Sequence, residues 1–214
     1  MSFKEKSREL ISKLKHELDE ARKAAEYWEL MATTDDLTGL HNRRMLAHIR
    51  DHFDERSHAH PDSDDVTLLF IDLDDFGQLN KKYGDDVGDQ ALQLLGHVIR
   101  QNIRRDDIAI RKGGDEFVLF IMGASADTAA ASVVQRLALL LDGGIFLEVD
   151  DLSLPLRGSI GVYDYNPDIS PLENLKHADT LMRAEKMMRK IHKAKGADDV
   201  SSPAPCAENN LYRY

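Results

Sequence analysis

The sequence predicts an α+β fold, a mixed sheet covered by helices and preceded by one long exposed helix. Three observations predict it. Residues 3–32 contain neither Gly nor Pro and are rich in Glu, Lys, Leu and Ala, the composition of a long solvated helix. Helix-type and strand-type runs then follow in the order α, β, α, β, β, α, β, β, α, without the strict alternation of a doubly wound sheet. Two of the apolar runs meet across Gly113-Gly114, a hairpin signal that an all-parallel sheet does not offer.

In the opening helix, Ile11, Leu14, Leu18, Ala21, Ala25, Trp28 and Ala32 recur at 3-4 spacing and form one heptad seam. A short, Ala-weakened coiled coil is the expectation. Thr33 to Asn42 breaks the pattern, and a helix is expected from Arg43 to about Arg56. Ser57 to Asp65 reads as a surface loop. Val66 to Asp72 is a β-branched and aromatic run bounded by Asp, hence a buried strand. A helix from about Val87 to Arg104 carries Leu92, Leu95, Val98 and Ile99 on one face. Strands are expected at Asp107–Arg111 and Glu116–Met122, then a helix at Ala126–Leu141 closed by Gly143 and Gly144. Strands near Ile145–Val149 and Leu156–Tyr163 come next. The last helix starts at Ser170-Pro171, with Pro in its first turn, and runs to about Lys195. Ala197 to Tyr214 is polar and aperiodic, a tail expected to be disordered. The domain reading is therefore 1–32 helix, 33–196 globular domain and 197–214 tail.

At 214 residues the chain has the length of one domain plus an appendage. A core of that size needs no disulfide or structural metal. Hydrophobic residues make up 42% and charged residues 31%, which excludes wholesale disorder. With 28 basic against 38 acidic residues the net charge is −10, which excludes a general binder of nucleic acid polymers. An anionic ligand would need a local basic patch. The one cysteine, Cys206, permits no disulfide framework. The first residues carry many charges and no uninterrupted apolar run, so the expectation is a chain without leader or membrane span, in the cytoplasm.

Acidic residues stand where strands end. Val66 to Asp72 finishes in Asp72-Leu73-Asp74-Asp75, and Asp115-Glu116 lies at the tip of the hairpin. If these strands are neighbours, the carboxylates converge on one edge. Clustered carboxylates repel unless a hard cation sits among them, and Mg²⁺ is the usual answer where phosphates are substrates. Gly113 and Gly114 would let backbone approach a nucleotide closely. From Leu172 to Gly196 seven Lys and Arg face three Asp and Glu, a local balance of +4. Lys186 and Lys190 stand i, i+4 on that helix.

Arg111-Lys112-Gly113-Gly114-Asp115-Glu116-Phe117 contains GGDEF, and the chain resembles the diguanylate cyclase family that bears this signature. Asp36-Leu37-Thr38-Gly39-Leu40-His41-Asn42-Arg43-Arg44 is similar to the family's opening DxLTGLxNRR motif. Asp72-Leu73-Asp74-Asp75-Phe76, Asn80, Tyr83-Gly84 and Gly88-Asp89 resemble its second block, and Ser159-Ile160-Gly161 and Ala178-Asp179 its later ones. The resemblance covers roughly Thr34 to Lys190. It implies a nucleotidyl cyclase or palm-like domain with a central five-stranded sheet surrounded by helices.

Carried over residue by residue, the resemblance implies that Asp72, the Leu73 carbonyl, Asp115 and Glu116 bind two Mg²⁺ or Mn²⁺ ions per active site, with Asp115 and Glu116 catalytic. It implies substrate contacts from Phe76, Asn80, Asp89, Gly113, Gly114, Lys186 and Lys190, with Asn80 and Asp89 reading guanine. Arg104 and Asp107 stand in the register of an RxxD site through which product inhibits. The implied reaction joins two GTP into cyclic di-GMP with release of two pyrophosphates, in a homodimer holding one GTP per subunit. The sequence departs from the family at Gly77, where Lys is common, at Asp85, where His is common, and at Arg189-Lys190-Ile191, where GRN is common. These departures bear on affinity for the triphosphate. A catalytically idle cyclic di-GMP receptor is the alternative, and the intact Asp72, Asp115 and Glu116 favour the enzyme. No sensor domain is recognisable in the chain, so a separate sensor protein joins the expected partners.

Overall fold

The computed structural model describes residues 3–51, 53, 65–123, 129–196 and 212–213. It divides into Met1–Thr34 and Asp35–Tyr214. The first unit is one helix, α1 (Phe3–Thr33), as an uninterrupted run of good helix formers dictates. Leu10, Ile11, Leu14, Leu18 and Trp28 are exposed along it. At its end the hydroxyl of Thr33 donates to the Glu29 carbonyl at 2.8 Å.

The second unit is built on a five-stranded sheet in the order β1-β3-β4-β2-β7. Its strands are β1 (His41–Asn42), β2 (Val66–Leu73), β3 (Ile108–Gly113), β4 (Glu116–Met122) and β7 (Gly158–Asp164). β2 pairs antiparallel with both β4 and β7, whereas β1 joins β3 in parallel. β5 (Ile145–Val149) and β6 (Leu152–Leu156) form a separate hairpin, with β8 (Tyr212–Arg213) parallel to β5.

Strand alternation gives the sheet two apolar faces. Leu69, Ile71, Phe117 and Leu119 pack with Leu92, Leu95, Val98 and Ile99 of α3 (Asp85–Asn102) and with Val133 and Leu137 of α4 (Ala129–Leu139). On the other face Leu68, Phe70, Val118 and Phe120 pack with Leu175, Ala178 and Met182 of α5 (Pro171–Gly196). Two buried faces explain why β2 and β4 read as continuous apolar runs. α5 sits directly on β7. A Cβ on Gly161 would lie 2.1 Å from the Ala178 carbonyl oxygen and 2.4 Å from the Met182 amide nitrogen.

Four features differ from expectation. A helix, α2 (Phe76–Tyr83), fills what the sequence offered only as a polar motif. Phe76, Leu79 and Tyr83, at i, i+3 and i+7, rest against the core, and Gly84 separates α2 from α3. The helix expected from Arg43 begins as a tighter 3-10 turn, Arg43–Ala47, whose first amides include the Arg44 N–H donating to the Asn42 side chain at 2.8 Å. The strand expected at Leu156–Tyr163 begins at Gly158, because Leu156 belongs instead to β6, which pairs with β5 across the turn at Asp150 (φ 50). Gly143 and Gly144 end α4 through a wide turn, Leu140–Gly144, with Gly143 at φ 122. The expected loop at 57–64, the end of the Arg43 helix at 54–56, the first residues of the Ala126 helix at 126–128, and 197–211 of the expected tail, Cys206 included, lie outside the described residues.

Candidate active site

Asp72 and Glu116 form the last rung of the β2–β4 ladder. Both lie on the sheet face that α5 covers, since Phe70 and Val118, two positions away on their strands, pack there. The hairpin between β3 and β4 is closed by Gly114 in the left-handed region at φ 53, where a side chain would be strained. That turn sets Asp115 beside the end of β2, where the Leu73 amide donates to the Asp115 carbonyl at 3.4 Å. Asp74 is held by two neighbours on the β7 side. Its amide donates to the Arg157 carbonyl at 2.8 Å, and the Ser159 hydroxyl donates to its carboxylate at 3.0 Å.

Cations from two elements meet this edge. The Lys186 ammonium on α5 donates to the Asp72 carboxylate and, at 3.4 Å, to the Leu73 carbonyl, with Asp74 3.8 Å away. Burial pushes the Asp72 carboxyl above its ordinary range. Lys186 offsets part of that push, and Asp115 and Asp74 add to it. On the other side of the rung the Lys112 ammonium donates to Glu116 at 2.5 Å.

The donor set is carboxylate and carbonyl oxygen, the chemistry of a hard divalent cation. An ammonium already lies within reach of both Asp72 and the Leu73 carbonyl, so positive charge fits there. Among the described residues no three His, Cys, Asp or Glu side chains converge as a ready-made cage. Mg²⁺ seldom uses one, since it keeps waters and completes its shell from substrate phosphates.

The remaining predicted substrate residues follow from α2 and α3. Phe76 opens α2 directly after Asp75, which turns the chain at φ 57. Asn80 lies on α2 against Gly88 of α3, and its side-chain oxygen is buried without a hydrogen-bond partner among the described residues. Asp89, the next residue on α3, is exposed. Next to Asp74, Lys186 and Lys190 line a cleft of about 830 Å³ together with Lys82, Arg157 and Arg189. That volume is within the range of small-molecule sites. Arg189 is committed to Glu185 at 2.8 Å and Asp142 at 3.3 Å.

Arg104 and Asp107 lie at the far end of β4 from Glu116, about 20 Å away by strand length. Arg104 is exposed. Asp107 is buried, and its two oxygens accept from the Arg104 amide at 2.7 Å and the Met122 amide at 2.9 Å. Its carboxylate thus fixes the turn from which the Arg104 side chain projects.

Besides Lys112, sequence reasoning missed three contributors. Asp35 accepts from the Thr38 amide and hydroxyl at 2.9 and 2.7 Å and pairs with Arg111 at 3.3 Å, tying the start of the domain to the hairpin. Its position, three residues before Thr38, was a usable capping signal. Lys82 and Arg157 carried no local signal, since only folding brings them to one cleft.

A family model described as "Diguanylate cyclase, GGDEF domain" matches residues 32–191. The chain is 35% identical over 171 residues to a probable diguanylate cyclase, DgcC, of Escherichia coli strain K12, covering 75% of this chain and 43% of that protein. It thus spans less than half the length of that relative. Among solved structures, diguanylate cyclase SiaD in complex with its activator SiaC from Pseudomonas aeruginosa matches with a TM-score of 0.64 at 26% identity, covering 85% of this chain and 72% of the other. The coiled coil and GGDEF domain of DgcB from Caulobacter crescentus, in complex with c-di-GMP, matches with a TM-score of 0.67 at 22% identity, covering 84% and 94%. The second likeness speaks to the fold.

Proposed function

The chain belongs to the diguanylate cyclase GGDEF-domain family, and on that premise we propose that it condenses two GTP into cyclic di-GMP and two pyrophosphates. The observation that carries the reading is the closing rung of the β2–β4 ladder, which opposes Asp72 to Glu116 with Asp115 in the adjoining turn. Asp72, Asp115, Glu116 and the Leu73 carbonyl are the donors we assign to divalent metal, two Mg²⁺ or Mn²⁺ per site. Bound there, such ions supply Lewis-acid activation of a 3′-hydroxyl and neutralise charge on the α-phosphate under attack.

The chain's own residues do the rest. Asn80, whose unpartnered amide oxygen is buried beside Gly88, and the exposed carboxylate of Asp89 are the pair we assign to the N1–H and N2–H of guanine. Lys186 and Lys190 neutralise the triphosphate, with Lys82 and Arg157 supplying charge that Gly77 does not. Gly113 and Gly114 leave the hairpin backbone open to nucleotide. Each 3′-oxygen displaces pyrophosphate from the other GTP, so two P–O bonds form, two break, and two protons leave. One domain presents one such site, so two copies must face each other across a two-fold axis, with α1 as the tether.

Product inhibition through Arg104 is part of the reading. Its guanidinium offers a planar fork to phosphate or guanine, while Asp107 holds the turn beneath it. Among the described residues no helix is long and apolar enough to cross a membrane. We assign the reaction to the cytoplasm, with input delivered by a sensor protein.

The test is incubation with GTP and Mg²⁺ followed by chromatographic identification of the product. Asp72→Asn and Glu116→Gln are each expected to lower turnover by roughly a thousandfold or more, because each removes a charge needed in the transition state. Near wild-type rates in either variant would overturn the assignment. A protein that binds cyclic di-GMP and makes none would be the idle receptor instead.

A further inference from the structure

Glu116 has a cationic neighbour that the reaction above does not use. β3 and β4 pair Arg111 with Phe117 and Gly113 with Glu116, so Lys112 is the extra residue of a bulge. Bulges bend a strand and re-aim the side chain they carry. Here the Lys112 ammonium lies 2.5 Å from Glu116 and 5.0 Å from the centroid of the Phe70 ring. Lys186 mirrors it from the other side, paired with Asp72 and in reach of the Leu73 carbonyl. Each carboxylate of the last β2–β4 rung therefore has its own ammonium, contributed by a different element.

We propose that Lys112 and Lys186 are internal counter-cations of the metal-free site, positioning residues that hold Glu116 and Asp72 side by side and must release them when a divalent ion binds. The proposal rests on the metal-dependent reading above. Two carboxylates on one rung repel, and a partner cation for each removes that repulsion while no metal is present. An ammonium and a divalent ion compete for the same lone pairs, so the lysines weaken binding of metal alone. Nucleotide relieves the competition on one side, because phosphate oxygens give Lys186 new partners. Lys112 also lies over the face of Phe70 while paired with Glu116, a cation–π contact that does not depend on that carboxylate. The arrangement favours loading metal together with nucleotide over loading bare metal.

The test measures Mn²⁺ binding to the nucleotide-free protein by electron paramagnetic resonance or calorimetry at low ionic strength. Lys112→Met should tighten the dissociation constant about threefold, the size expected of a half-exposed ion pair. Lys112→Arg, which keeps the charge, should stay near wild type. Lys176→Met, which removes an equal charge from the exposed start of α5, should not tighten binding. Unchanged or weaker binding in Lys112→Met overturns the proposal, as does equal tightening in Lys176→Met or no measurable Mn²⁺ binding by any of these proteins. Failure of the cyclase reading is seen separately, as absence of cyclic di-GMP when wild type receives GTP and Mn²⁺. If that product forms while Lys112→Met binds Mn²⁺ as wild type does, the counter-cation idea alone falls.

Discussion

Gly88 and Asn80 are interlocked, since a Cβ built on Gly88 would come within 2.0 Å of the Asn80 side-chain oxygen and 2.8 Å of its amide carbon. The close approach of α3 to α2 thus fixes where that amide points. Gly88→Ala should swing Asn80 away from its place and raise KM for GTP about tenfold, the loss of one good hydrogen bond to the base. Helicity should not fall, because Ala is the better helix former by up to about 1 kcal/mol. Steady-state kinetics beside circular dichroism decides it. An unchanged KM would remove Asn80 from nucleotide recognition.

Arg104→Ala should abolish inhibition by added cyclic di-GMP and leave the initial rate intact, because the residue lies a strand's length from Asp72 and Glu116. The expected shift in half-inhibitory concentration is at least about tenfold, the value of one bidentate charged contact. Titration of product into the initial-rate assay gives the answer. Identical curves for variant and wild type would separate this surface from regulation.

Burial tends to raise the Asp35 carboxyl, but hydrogen bonds from Thr38 and the charge of Arg111 outweigh it and hold the group below its ordinary 3.8. A depressed folded-state value stabilises the native protein above the unfolded value, and that stability is lost as pH falls through the folded one. Asp35→Asn should therefore melt lower than wild type at pH 7, by roughly 3 °C given the partial exposure of the pair. The gap should narrow once pH drops below 3.8. Melting curves across that window test the sign. A gap that widens in acid would show that Asp35 is not the source.

Leu14 and Leu18 lie exposed on α1, on the heptad seam. Replacing both with Glu should convert a weak dimer to monomer and make specific activity fall steeply on dilution, since the tether's effective concentration, about millimolar, is lost. Light scattering and a dilution series of the activity read both effects. Unchanged mass would give α1 another task.

The elements most legible in the sequence are those long enough to carry their own composition signal. Val66–Leu73 and Glu116–Met122 announced themselves as apolar runs, and Pro171 marked the start of α5. α2 did not, because eight residues hold only three apolar anchors and a helix that short is marginal without the core beneath it. β1 was invisible because two residues carry no periodicity. The same division runs through the site. The carboxylates were readable from strand ends, while Lys112 beside Glu116 and Arg157 in one cleft with Lys186 depend on a bulge and a fold that no linear pattern encodes.

The β2–β4 ladder runs through seven pairs from Val66–Met122 to Asp72–Glu116. Its strands are far apart in the chain, so closing them costs loop entropy before any contact repays it. The rung with both acids closes the zipper, and until Lys112 and Lys186 reach their carboxylates electrostatic repulsion favours fraying there. A molecule with a slipped or half-formed ladder would bury much of its apolar surface and still hold no working site. On the proposed cyclase reading, catalytic competence would thus report registry, and chains misfolded in this sheet would be silent rather than wrongly active.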